Sequence, residues 1–235
     1  MSKSKKFAAL IAILVAFSGA ALAQKGYDDE SQGMYLEKPR LFYGGVLLGA
    51  GFSQVDGDFY AGYHKIGLNV GGIAYAQVGK HTALSMEILY AQKGSRSTYA
   101  KPAPVSGKFL ITNYSINTNY AEIPIMFNYF DKHKSHFGMG VAYSRLVNSD
   151  ERITIDSGNV RSTIDYNGKY EFQKNNFDFV ASAQLHLVGG FFLNVRFQYS
   201  LTPIRANREL PPPDFARSNQ YSNMWTVRVM YLVNK

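Results

Sequence analysis

The chain has 235 residues, 46% of them hydrophobic and 18% charged, with a formal net charge of +8. That composition excludes a disordered chain and a collagen-like one, and it excludes a bundle of membrane helices, because the only long apolar run lies at the extreme N-terminus. With no cysteine, disulfides, thiolate metal sites, cysteine nucleophiles and an N-terminal lipid-modified cysteine are excluded as well.

Lys3, Lys5 and Lys6 precede an apolar stretch from Phe7 to Phe17, which Ser18 and Gly19 interrupt. The stretch is too short to cross a bilayer as a helix, and Ala21-Leu22-Ala23 has the small-x-small pattern of a signal peptidase site. Residues 1–23 are therefore expected to be a cleaved secretory signal peptide. Removing them takes away three of the 25 basic side chains and none of the 17 acidic ones, which leaves a net charge of +5. The remaining charges are scattered and form no basic stripe with interleaved aromatics, so nucleic-acid binding has no support. Residues 24–40, with Gly26, Asp28, Asp29, Glu30 and Pro39, read as a flexible N-terminal extension.

From Leu41 onward the pattern has period two, the signature of strands with two unlike faces. Two glycine-rich strands are expected near 41–53 and 63–77. In 83–93 the apolar positions Leu84, Met86, Ile88 and Tyr90 alternate with Ser85, Glu87 and, further on, Lys93. In 121–129, Ile123, Ile125, Phe127 and Tyr129 alternate with Glu122, Pro124, Met126 and Asn128. The same pattern places Phe137, Met139, Val141 and Tyr143 on one face, then Phe177, Phe179, Leu185 and Leu187 opposite Asp178, Ser182, Gln184 and His186. It is clearest in 191–201, where Phe191, Leu193, Val195, Phe197 and Tyr199 oppose Asn194, Arg196 and Gln198. It ends with Trp225, Val227, Val229, Tyr231 and Val233 opposite Arg228. That makes eight strands.

Alternation also fits a soluble sandwich or a lipocalin-like barrel. The connections favour a membrane barrel. Those at 78–81, 130–135 and 188–190 are tight, those near 54–62, 97–112, 148–172 and 202–219 are long, and the two kinds alternate strictly. The expected fold is thus all-β: an eight-stranded antiparallel up-and-down transmembrane β-barrel over residues 41–235, with short periplasmic turns, longer external loops and aromatic girdles. An even strand number closes such a sheet without leaving unpaired backbone in hydrocarbon. The expected location is the outer membrane, as a monomer in contact with lipid.

With the apolar face turned to lipid, the lumen receives Glu87, Lys93, Glu122, Asp178, His186, Arg196 and Arg228. Counting from the nearest short turn puts Glu87, Glu122, Arg196 and Arg228 at comparable depth. They are expected to form an ionic network across a lumen just wide enough for side chains to fill it. Such a network reads either as structural filling or as a gate or proton relay. No catalytic, cofactor-binding or metal site is legible. The five histidines have no Ser-His-Asp company, and the spacing of His133 and His136 offers two metal ligands at most. The long connections are the remaining functional surface: 148–172, with Asp150, Glu151, Arg152, Asp156, Arg161 and Asp165, and 202–219, with Arg205, Arg208, Arg217 and Pro211-Pro212-Pro213. In the first, Ile153-Thr154-Ile155 and Thr163-Ile164 are expected to extend the barrel as a hairpin.

Glu87, Tyr90, Lys93 and Gly94 follow an E-x-x-Y-x-x-K-G pattern, and Tyr120, Glu122, Ile123 and Pro124 a Y-x-E-I-P pattern. In these motifs, and over about residues 41–235, the chain resembles the PorT-like outer-membrane β-barrel family of the Bacteroidota. The resemblance implies outer-membrane residence and insertion by the barrel assembly machinery. It also implies a non-enzymatic envelope component, structural or partner-binding through its external loops and associated with type IX secretion or gliding. It offers no catalytic residue. The competing expectation is a barrel that modifies lipid or handles small solutes.

Overall fold

A computed structural model describes residues 41–233 apart from 61, 132–133, 159, 168, 207–210 and 213–214. The expected signal peptide (1–23) and N-terminal extension (24–40) lie outside the described residues, as does His133. The strands are β1 (Phe42–Asp58), β2 (Lys65–Gln77), β3 (Thr82–Ser97), β4 (Lys101–Pro102), β5 (Leu110–Phe130), β6 (His136–Asp156), β7 (Arg161–Asp165), β8 (Asn175–His186), β9 (Phe191–Ser200) and β10 (Ala216–Leu232). All pairings are antiparallel. Each long strand pairs with its neighbour in sequence, β5 pairs with β6, and β1 pairs with both β2 and β10. The eight long strands therefore close into a ring, while β4 and β7 add to the outer parts of β5 and β6.

Burial fixes which face looks inward. Phe42, Ile88, Phe137 and Met139 are 64–68% exposed, whereas Glu87, Glu122 and Arg196 are at most 1% exposed. A soluble barrel would show the reverse; here the greasy row faces outward and the polar row fills the interior. Aromatic pairs mark both margins of the outward band: Phe191 and Tyr231, 4.8 Å apart, near the short turns, and Tyr143 and Phe177, 5.7 Å apart, near the long connections. These amphipathic rings suit the bilayer interfaces.

Beyond the outer margin the chemistry of the two faces changes over. Along β5 the outward row runs Tyr129, Phe127, Ile125, Ile123 and Ala121, then Asn119, Asn117 and Ser115, while the inward row passes from Glu122 to Tyr120, Ile116, Tyr114 and Ile111. Water replaces lipid outside, so apolar side chains move inside. With β6, β4 and β7 this makes a sheet standing above the membrane, and the hairpin expected from 153–164 forms as β6–β7, with Thr154 opposite Thr163. The long connections are thus shorter than the sequence suggests. Much of 97–112 and 148–172 is strand or packs as core: Val55, Tyr60, Ile111, Tyr114, Ile153, Phe172, Ile204 and Phe215 form a hydrophobic cap over the outer end.

Candidate functional site

The candidate site is the lumen, which side chains occupy in layers. At the short-turn end, the His136 ring stacks on Phe130 with centroids 4.1 Å apart, and its Nε2 lies 2.9 Å from Tyr75 Oη. Phe192 and Met230, both buried, complete this aromatic stopper. His136 is thereby committed to packing and to Tyr75, and His186 Nε2 lies 2.9 Å from the Gly189 carbonyl. Neither stands in a catalytic arrangement.

In the next layer, Glu87 of β3 receives two guanidiniums. Arg196 of β9 ion-pairs with its Oε1, and Arg228 of β10 lies 3.2 Å from its Oε2. Arg228 donates further from Nε to Asn194 Oδ1 at 2.8 Å and from Nη1 to Asn69 Oδ1 at 3.0 Å. Gly49 sits opposite Arg228 on β1, and a methyl group there would collide with the Arg228 backbone and Cγ. The missing side chain is what admits the guanidinium stem.

Glu122 does not join this group. Its cation is Lys93, whose Nζ lies 2.5 Å from Glu122 Oε1 and 2.9 Å from Asp178 Oδ2. Ser144 Oγ sits 3.1 Å from Glu122 and 2.7 Å from Asp178, and Gln198 Nε2 donates to both carboxylates. The four residues expected in one network therefore divide three to one. Glu87, Arg196 and Arg228 meet in one layer, and Glu122 belongs to a second with Lys93 and Asp178. The cause is geometric. Leu89, not Glu87, is the register partner of Glu122, so Glu122 lies two residues further along the ladder, about 7 Å. Strand tilt staggers neighbours in height, which a count from each turn ignores.

The two motif patterns also find their physical content here. Lys93 bonds Glu122 and holds its ammonium 5.2 Å from the centre of the Tyr120 ring. Gly94, at φ 140°, lets β3 press on the Ile116 carbonyl of β5. Of the motif positions, Glu87, Lys93, Tyr120 and Glu122 fill the lumen, while Tyr90 and Ile123 face outward.

A third pair closes the outer end and has no counterpart in the sequence-based expectations. Arg205 grips Glu151 at two points, 2.6 and 3.3 Å, donates to the Tyr170 carbonyl at 2.9 Å and lies 3.8 Å above the Phe172 ring. Both Arg205 and Glu151 are buried, so neither belongs to the exposed docking surface expected from the long connections. Their positions, 54 residues apart in stretches without clear periodicity, carry no sequence signal of the pairing.

Fully buried charges are costly unless paired. Among the described residues the buried set comprises Glu87, Glu122, Glu151 and Asp178 against Lys93, Arg196, Arg205 and Arg228. The Glu87 layer carries one excess positive charge, the Lys93 layer one excess negative charge, and the Arg205 pair none, so the lumen is neutral as a whole. No cluster of three or more metal-ligating side chains occurs among the described residues.

Among the described residues of the cap, Asp58, at the outer end of β1 above the apolar band, is the strongly perturbed carboxyl. Burial pushes it up to about 7, although the Tyr60 N–H donates to it at 2.8 Å. Between the usual 3.8 and about 7, the folded chain holds a proton that the unfolded chain has lost, so this group's contribution to stability falls as pH rises through that window. Asp58→Asn is expected to flatten the decline. The thermal midpoint of the variant should rise relative to that of the parent from pH 4.5 to pH 8, and a difference that does not change with pH would contradict the assignment.

Among solved structures, the attachment invasion locus protein Ail of Yersinia pestis aligns with a TM-score of 0.45 and 10% identity, over 83% of this chain and 100% of its own. Neisserial surface protein A aligns at 0.45 and 11%, over 82% and 97%. The N-terminal β-barrel domain of Pseudomonas aeruginosa OprF aligns at 0.34 and 8%, over 82% and 98%. No curated protein sequence matches the chain. The family model described as outer membrane protein beta-barrel domain matches residues 31–205, and the chain belongs to that family, as an eight-stranded barrel of the outer membrane.

Proposed function

We propose that the protein is a non-enzymatic, non-conducting envelope component that works through its external surface. The observation that carries this reading is the way the chain is used beyond the membrane. The outer parts of β5 and β6, with β4 and β7, form an ordered platform on a hydrophobic cap, and Tyr99, Val105, Leu110 and Val160 are exposed on it at 69, 62, 44 and 63%. Exposed apolar side chains on a rigid support suit protein partners. The paired charges and the aromatic stopper support a structural role for the lumen rather than a pathway.

The finer reading is a PorT-like barrel associated with type IX secretion or gliding. Its support is the pair of motifs through Glu87, Lys93 and Glu122. Crosslinking in intact cells, followed by mass spectrometry, tests both levels. The proposal expects envelope proteins captured through residues 97–112 or 157–165, and a secretion defect on deletion. Normal secretion with no captured partner would refute it. In planar bilayers the purified protein is expected to give no stable current steps. Large, stable channels, or altered lipid composition on deletion, would instead favour a solute-handling or lipid-modifying barrel.

A further inference from the structure

On β6 the outward row Phe137, Met139, Val141 and Tyr143 continues into Arg145 at the outer margin of the apolar band. Just beyond, the ladder with β5 carries a bulge: Tyr120 pairs with Leu146 and Asn119 with Asn148, so that Val147 is the extra residue. Bulges re-aim side chains, and here Arg145, Val147 and Asn148 are all exposed. Asn175 of β8 fixes the arrangement. Its Oδ1 accepts from Tyr143 Oη at 2.8 Å and from Arg145 Nη1 at 2.5 Å, which ties the guanidinium to the girdle. The Leu146 N–H donates to the Lys174 carbonyl at 2.8 Å, which sets this exposed lysine, in the bend just before β8, beside it. Beside them opens a cleft of about 360 Å³, lined also by Asn148, Ser149, Tyr166 and Tyr170. Glu151 of its wall is spent on Arg205, and Glu171 is the other acid on the rim. Among the described residues no carboxylate pairs with Arg145 or Lys174.

Two cations read a phosphate, while polar side chains beside tyrosine rings suit a sugar. A soluble sugar phosphate would make no use of the strip below, where Met139, Val141 and Phe177 are 64, 52 and 52% exposed and lead down from the cleft into hydrocarbon. We propose that this cleft seats the phosphorylated sugar headgroup of an outer-leaflet glycolipid, with the acyl chains lying along β6 and β8 beneath it. The ligand is chosen by cation pair, cleft and apolar strip together, and the inference stands apart from the partner-binding role.

Native mass spectrometry of the purified barrel tests it, with three probes: phosphorylated lipid A, dephosphorylated lipid A, and glucosamine phosphate without acyl chains. The barrel should retain phosphorylated lipid A, with binding at least about tenfold weaker for the dephosphorylated form and for the Arg145→Ala/Lys174→Ala double variant. Both substitutions are at exposed positions, and unchanged heat-modifiable gel migration certifies the fold. The Arg96→Ala/Arg217→Ala variant, which removes two other exposed cations on the external parts of β3 and β10, should bind as the parent does. Equal retention by the parent and the Arg145/Lys174 variant would overturn the proposal. So would an equal loss in the Arg96/Arg217 variant, which would mean diffuse attraction, or full competition by glucosamine phosphate, which would mean a soluble ligand.

Discussion

Glu87→Gln should destabilise the barrel by about 3–5 kcal/mol, because it keeps the shape of the side chain but leaves two buried guanidiniums facing each other without a carboxylate. In the parent, Arg196 and Arg228 both reach Glu87, and each is at most 1% exposed. Urea unfolding in liposomes, followed through the fluorescence of the single tryptophan, measures the loss. The layer as a whole is a different matter. Replacing all three members at once (Glu87→Met, Arg196→Met, Arg228→Leu) removes the desolvation cost together with the attraction, and should restore most of the stability. A Glu87→Gln variant within about 0.5 kcal/mol of the parent, inside the ordinary range of surface substitutions, would mean that the layer does not depend on charge pairing.

Val141→Arg and Val147→Arg should differ sharply although both residues point outward from β6. Val141 lies within the apolar band, 52% exposed, and Val147 lies beyond its outer margin at the bulge, 62% exposed. An arginine facing mid-bilayer lipid costs about 2–4 kcal/mol, falling to about 0–1 near the interface. The same unfolding assay should therefore rank Val141→Arg well below Val147→Arg. Equal, small effects would mean that no hydrocarbon surrounds β6.

The barrel was legible because each membrane-spanning strand meets two media of opposite character, and period two records that directly, as in Phe191, Leu193 and Val195 against Asn194 and Arg196. The outer halves of β5 and β6 were not legible as strands. There the apolar row changes sides: Tyr120, Tyr114 and Ile111 face inward while Asn119 and Asn117 face outward, so the pattern loses its phase at the membrane margin. Lumen residues could be chosen by orientation: Glu87, Lys93, Glu122, Asp178, Arg196 and Arg228 are all buried, while His186, beside a short turn, is half-buried. Their partnerships could not, because contacts across a tilted barrel depend on stagger and on reach. Lys93 reaches Glu122 through a long stem, though its register partner on β5 is Thr118. Arg205 was hidden more deeply: it reads as a loop cation beside prolines, and only the folding of two distant segments onto each other buries it against Glu151.

Orientation decides everything else, and the native protein carries its own probe. Trp225 is the single tryptophan, points outward from β10 at 45% exposure, and packs 5.0 Å from Phe197. Reconstituted in bilayers with bromine-labelled acyl chains, its fluorescence should be strongly quenched by the lipid and left almost unchanged by aqueous iodide. Quenching by iodide but not by the brominated chains would place the apolar row in water and contradict a lipid-facing barrel with an ionic interior.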